Sequence, residues 1–250
     1  MSTHLYCVLP IDAELDVPSG LRGVDGGSVR ALPLDRVVAW VSDVPRDIPV
    51  SIDGVRAHDA VVEAALELGS TPVPARFGQR FANDDACRAA LASRGESVEN
   101  LLESMQGLVE MTILIAPSTR RMIRELEPVI PEMLEPDVPG AGRRYLQTLR
   151  SREEATGAAA RASDALAQRL ADATSHVVQR VLVHESTTPL PLRTISHLLA
   201  RDDIEEFRRA VALVERGKEF QFLVIGPRAP YSFSALRSDA GGMHGMNLAD

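Results

Sequence analysis

From residue 107 to residue 226 the spacing of apolar residues changes period in a fixed order, and that order limits the fold more than any other feature. Val109–Ala116 (VEMTILIA) is an apolar run closed by Pro117 and Ser118, the mark of a buried strand. Arg143–Ser175 follows with Tyr145, Leu149, Ala155, Ala159, Ala162, Leu166, Leu170 and Ala173 recurring at helical spacing with one wider gap, half of them alanine. Gly157 weakens the middle of that helix by about 1 kcal/mol relative to alanine. Val177–His184 (VVQRVLVH) and Leu192–Leu199 read as strands joined by a turn over Thr187–Pro191. Asp202 is the expected cap of a helix over Asp203–Glu215 that turns Ile204, Phe207, Val211 and Val214 inward. Gly217 stops it, and Phe220–Ile225 is a last strand. The order β-α-β-β-α-β predicts a ferredoxin-like arrangement, an antiparallel sheet with its helices on one face.

The N-terminal part reads β-β-β-α-β-α. His4–Ile11 is a buried strand, Gly20–Gly27 a surface turn region, and Ser28–Leu32 with Arg36–Ser42 a hairpin. Ser51 or Asp53 caps a helix that runs to about Leu68, where Gly69 stops it. The prolines of Thr71–Arg76 (TPVPAR) force extended chain. Asn83 or Asp84 then caps one further helix through Met105, with a weak point at Gly95. The fold class expected is α+β with two domains, 1–106 mixed and 107–233 modified ferredoxin-like, followed by a flexible tail, 234–250. Residues 118–142, rich in Pro and Glu, are expected to form loops and short helices.

Composition narrows the function classes. A formal net charge of −8 argues against nucleic-acid binding, which needs clustered cations. Cys7 and Cys87, the only cysteines, fall inside regular elements and suit a reducing compartment. No secretory signal is visible, and apolar runs such as Met111–Pro117 are far below the roughly 20 residues that span a bilayer. The expectation is a cytoplasmic protein without a membrane partner. The six histidines form no metal-ligand spacing, and His176 and His184 read as unrelated strand residues. There is no GxSxG, no Cys–His pattern and no phosphate loop, so neither cofactor nor catalytic residues are expected. Glu110 lies inside an apolar strand; an outward or paired position suits it better than a raised-pKa acid. The mixed charges of Arg201–Arg209 fit a solvated helix face.

Two segments are distinctive: TPVPARFGQRF at Thr71–Phe81, preceded by His58-Asp59-Ala60-Val61-Val62-Glu63, and FLVIGPRAPYSF at Phe222–Phe233. With Leu5-Tyr6-Cys7-Val8, Val109-Glu110, Gly142-Arg143-Arg144-Tyr145-Leu146 and Leu199–Asp203, they occur in order over residues 3–233. This ordered set resembles the gas vesicle protein F/L family. The departure is Arg228-Ala229, where the family pattern has Trp-Pro. The resemblance implies two α+β domains and a non-enzymatic role in assembling gas vesicles in the cytoplasm. It also implies binding to the hydrophobic major shell protein and to other gas vesicle accessory proteins. Arg76, Phe77, Arg80 and Phe81 are the candidate contact residues, because arginine and aromatic side chains dominate binding hot spots. The competing expectation for the same segment is a packing turn with Phe77 and Phe81 buried. Gly226–Phe233 is expected to be a turn that pins the tail. The rival functions are a small-molecule enzyme or a ligand-sensing module on a ferredoxin-like scaffold.

Overall fold

The computed structural model describes residues 1–11, 16–46, 49–118, 157–158, 161–184, 193–214 and 220–234. The chain forms two compact units, one of Met1–Glu110 with the segment from Pro227, the other of Met111–Gly226.

In the first unit β1 (Ser2–Pro10) is central. It pairs antiparallel with β3 (Val37–Val44) on one side and with the short β4 (Val73–Pro74) and β5 (Arg80–Phe81) on the other. β2 (Arg30–Pro33) completes the hairpin with β3. A central strand covered on both faces must be apolar throughout, which is why Leu5-Tyr6-Cys7-Val8-Leu9 has no polar alternation. The register slips between Leu5 and Cys7, so Tyr6 is the extra residue of a bulge. The slip turns Tyr6 and Cys7 to the same side, with Leu9 and Trp40, against Val61, Val62 and Ala65 of α1 (Ile52–Glu67). Leu5 and Val8 face the opposite side, against Cys87 and Leu91 of α2 (Asp84–Ala92) and Val98 and Leu102 of α3 (Gly95–Met105).

Local signals set the helix ends. Ser51 Oγ accepts from Gly54 N at 3.0 Å to cap α1, and Gly69 leaves it with φ +96°. Asn83, not Asp84, caps α2, its Oδ1 accepting from Ala86 N at 2.9 Å. The single helix expected from Asn83 to Met105 is two helices. Ser93 Oγ turns back to Ala90 O at 2.8 Å and Arg94 leaves helical geometry at φ −119°, ψ 17°, just before Gly95. The Gly-rich turn is also more than surface. Val24 is buried in a 3-10 turn, its N–H donates to Tyr6 Oη at 2.8 Å, and a Cβ at Gly23 would stand 1.9 Å from that oxygen.

The second unit is built on a sheet ordered β7-β8-β6-β9, from β6 (Leu108–Pro117), β7 (Val178–His184), β8 (Arg193–Ala200) and β9 (Phe220–Arg228). This is the ferredoxin-like strand order, with the first and third strands of the series side by side in the middle. Residues 161–174 form helix α4 and Ile204–Val214 form α5. β6 alternates: Met111, Ile113 and Ile115 are fully buried while Thr112, Leu114 and Ala116 are half-buried. Two expectations change here. Asp202 does not cap a helix; it lies in a 3-10 turn, Arg201–Asp203, that precedes α5 without a side-chain cap. His176 is not on a strand but in the turn before β7, where its Nε2 meets Glu206 Oε1 at 3.1 Å. The loop reading of 119–142, the start of the long helix, the Thr187–Pro191 turn, the Gly217 stop and the tail 235–250 lie outside the described residues.

Candidate functional site

The distinctive sequence segments find one another in the first unit. His58, near the middle of α1, is buried and donates from Nε2 to Ala75 O at 3.1 Å. A carbonyl only accepts, so the proton of neutral His58 is on Nε2 and its Nδ1 accepts from His4 Nε2 at 2.9 Å. Burial is the main reason the His4 ring sits at about 3, with the charges of His58 and Arg80 lowering it further. Burial also holds His58 at about 4, against the opposing pull of the Ala75 carbonyl and the Asp59 charge. Phe77 lies against both rings, 6.0 Å from His4 and 5.9 Å from His58 between centroids. It also covers Gly54, where a Cβ would approach Phe77 Cζ to 3.1 Å.

The C-terminal segment packs against the middle of α1, just beyond His58. Arg228 forms an ion pair with Asp59 and lies 3.8 Å from Glu63 Oε1, the acidic residues of the His58–Glu63 stretch. Ala229 is buried among Tyr6, Trp40, Val61 and Val62, with Tyr231 packed beside them. Burial and then the Asp59 charge push the Tyr231 hydroxyl upward. Ser232 donates from its backbone N and its Oγ to the buried Glu110 carboxylate at 2.8 and 2.7 Å. Glu110 is thus paired on the sheet with a serine; of Gly226–Phe233, Gly226–Arg228 end β9 and 231–233 form a turn, while the tail it was expected to pin lies outside the described residues.

The segment between these contacts turns outward. Gly78, at φ +87°, reverses the chain after Phe77. Arg76 is exposed, Arg80 and Phe77 are half-buried, and Phe81 enters the core with Leu5 and Leu91. Arg80 donates to Arg46 O at 2.5 Å. The turn shapes a concavity of about 630 Å³ lined by Ser2, Arg46, Arg76, Phe77, Gln79 and Arg80, among others. Of the candidate residues Arg76, Phe77, Arg80 and Phe81, all border it, but Phe81 gives most of its surface to the core. Arg46 and Ser2 were not among the candidates, and no local pattern marks them. They arrive there because β1 begins where β3 ends.

The sequence model of the gas vesicle synthesis protein GvpL/GvpF family matches residues 2–235. The chain belongs to the GvpF/GvpL family. It is 27% identical to gas vesicle protein F of Streptomyces sp. (strain CB03234) over 248 residues, 93% of this chain and 99% of that protein. It is 26% identical to gas vesicle protein L1 of Halobacterium salinarum, over 92% of this chain and 89% of that protein. The fold is similar to crystal structures of GvpF from Anabaena sp. PCC7120 and from Microcystis aeruginosa. The TM-scores are 0.73 and 0.71 at 15% and 20% identity, covering 95% and 94% of this chain and 99% of each of those. Membership gives the protein a part in gas vesicle synthesis, and with it a structural or assembly role. Among the described residues no helix is long and apolar enough to cross a membrane. Arg228-Ala229, where the sequence departs from the family pattern, supplies an ion pair to α1 and a small buried side chain.

Proposed function

We propose that the protein binds the hydrophobic major shell protein of the gas vesicle, limits its aggregation, and supports nucleation of the vesicle wall. The role is that of a minor component or assembly factor at the vesicle, with other gas vesicle accessory proteins as further partners. The observation that supports this reading is the Arg76–Phe81 turn. Its base is clamped by Phe77 on the His4–His58 pair and by Phe81 in the core, while Arg76 and the side of Arg80 are presented to solvent. A rigid turn that offers arginine beside a partly exposed aromatic ring makes a hot spot at low cost in ordering entropy. A shell subunit with an uncovered apolar face aggregates unless that face is covered, so transient capture keeps it available for wall growth.

The test is capture of the shell protein by the purified full chain, with light scattering to follow shell-protein aggregation. Replacing Arg76 and Arg80 by alanine is expected to weaken capture by about tenfold, the range of a modest hot spot. The melting temperature should stay nearly constant. A wild-type protein that captures neither shell protein nor accessory proteins, together with normal vesicles in a deletion strain, would sink the assembly reading.

A further inference from the structure

We infer that the concavity at the Arg76–Phe81 turn is a docking groove for an acidic, extended peptide segment of a partner protein. The inference rests on the capture reading above and adds the chemistry of the segment that would be recognised.

Charge carries the argument. Acidic residues exceed basic ones by 35 to 27, so a depression that gathers three arginines runs against the charge balance of the chain. Arg30 meets Asp43 and Asp84 at 2.8 and 2.9 Å, Arg36 meets Glu99 at 3.2 Å, and Arg228 meets Asp59. Arg46, Arg76 and Arg80, which line the concavity together, form no ion pair among the described residues. Among the described residues no Asp or Glu lines it. Concentrating like charge in one depression raises the local positive potential. That arrangement opposes folding slightly and is stabilised when an anion enters.

The shape selects among anions. A volume of about 630 Å³ is far larger than a phosphate needs and is open along the turn. Its lining includes the half-buried Phe77 and a little of Phe81 together with the arginines, so aromatic and cationic surface share one depression. An extended chain that carries both carboxylates and apolar side chains matches that mixture. A compact inorganic anion matches only the arginines. β5 pairs with β1, through Thr3 with Phe81 and His4 with Arg80, which holds the arginine-bearing strand in place before any partner arrives.

The probe is a fluorescein-labelled peptide of about twelve alternating glutamates and leucines, compared with one of lysines and leucines. Both are titrated into the full chain and followed by anisotropy. The acidic peptide is expected to bind. Its affinity should fall by about tenfold between about 50 and about 300 mM salt, as exposed charge pairs are screened. Arg76→Glu should reduce it by a further factor of about ten, with the melting temperature unchanged, since the Arg76 side chain is exposed and forms no ion pair among the described residues. Equal binding of the lysine peptide, no binding of the acidic one, or an Arg76→Glu variant that binds as well as wild type would each overturn the proposal. So would displacement by millimolar pyrophosphate but not by unlabelled acidic peptide, which would make the groove a small-anion site. Shell-protein capture by the same variant separates the two readings. Lost peptide binding with intact shell capture keeps the acidic groove and moves the shell contact elsewhere. Lost shell capture without any acidic-peptide binding in the wild type keeps the contact and removes the acidic partner.

Discussion

His4 and His58 are among the most completely buried titratable side chains described, and they share a hydrogen bond that requires His58 Nδ1 to be unprotonated. Each ring holds its proton less tightly in the fold, at about 3 and about 4, than at the ordinary value of 6.5 that applies to the unfolded chain. The unfolded state therefore takes up protons first. The pair's contribution to stability is complete above pH 6.5 and is lost as pH falls through 6.5 towards 4. Each proton adds a slope of about 1.4 kcal/mol per pH unit within that window. Urea unfolding of the wild type should approach two protons of slope between about pH 6 and 4.5, and His4→Asn about one. A flat profile would mean the pair is already charged or solvated. Gly23 is the other residue whose identity is forced. Its Cβ would collide with Tyr6 Oη at 1.9 Å, so Gly23→Ala should cost about 1–3 kcal/mol in a urea melt by overpacking the buried Tyr6–Ser42 contact. A Gly20→Ala control meets no neighbouring atom and bears only its own φ of +80°.

Among the elements, α2 and α3 show how a helix boundary is decided locally. Asn83 satisfies an orphan amide at the start of α2, and Ser93 with Arg94 ends it ten residues later, although the apolar stripe runs on through Leu102. Asn83→Ala should cost about 1 kcal/mol by differential scanning calorimetry, while Asp84→Asn should act mainly through Thr3 and Arg30. An Asn83 variant as stable as wild type would show that packing against β1 holds α2 without its cap. The strands behave differently. β1 was legible as a buried run, but its bulge at Tyr6 was not, because nothing in HLYCVLPI distinguishes a strand that alternates from one that slips. The slip matters: it brings Tyr6 to the α1 side, where it reaches Val24 and Ser42.

The whole chain returns to its starting unit. From Pro227, near the end of β9, the chain rejoins residues 1–110, and its Ser232 hydrogen-bonds the buried Glu110 carboxylate near the start of β6. Glu110→Ala removes two hydrogen bonds to an acidic group and leaves the Ser232 amide without that acceptor, so it should destabilise the protein by about 2–3 kcal/mol. Limited proteolysis should then cut near Tyr231–Phe233 in the variant and not in the wild type. Equal resistance would show that Ala229, Tyr231 and Phe233 hold the segment by burial alone.

The sequence by itself determined the buried strands and the family and narrowed each helix cap to two neighbours, Ser51 or Asp53 and Asn83 or Asp84, because caps and hydrophobic periods are local and an ordered motif set survives divergence. It determined the β-α-β-β-α-β series and hence the sheet, since few topologies suit that order. Only the tertiary structure decided which motif residues are partners. His4 with His58, Asp59 with Arg228 and Glu110 with Ser232 are separated by 54, 169 and 122 positions, and no spacing rule connects residues that far apart. The same holds for the groove. Arg76 and Arg80 were visible as a local motif, but Arg46 joins them only because β3 ends beside the start of β1, a consequence of strand pairing.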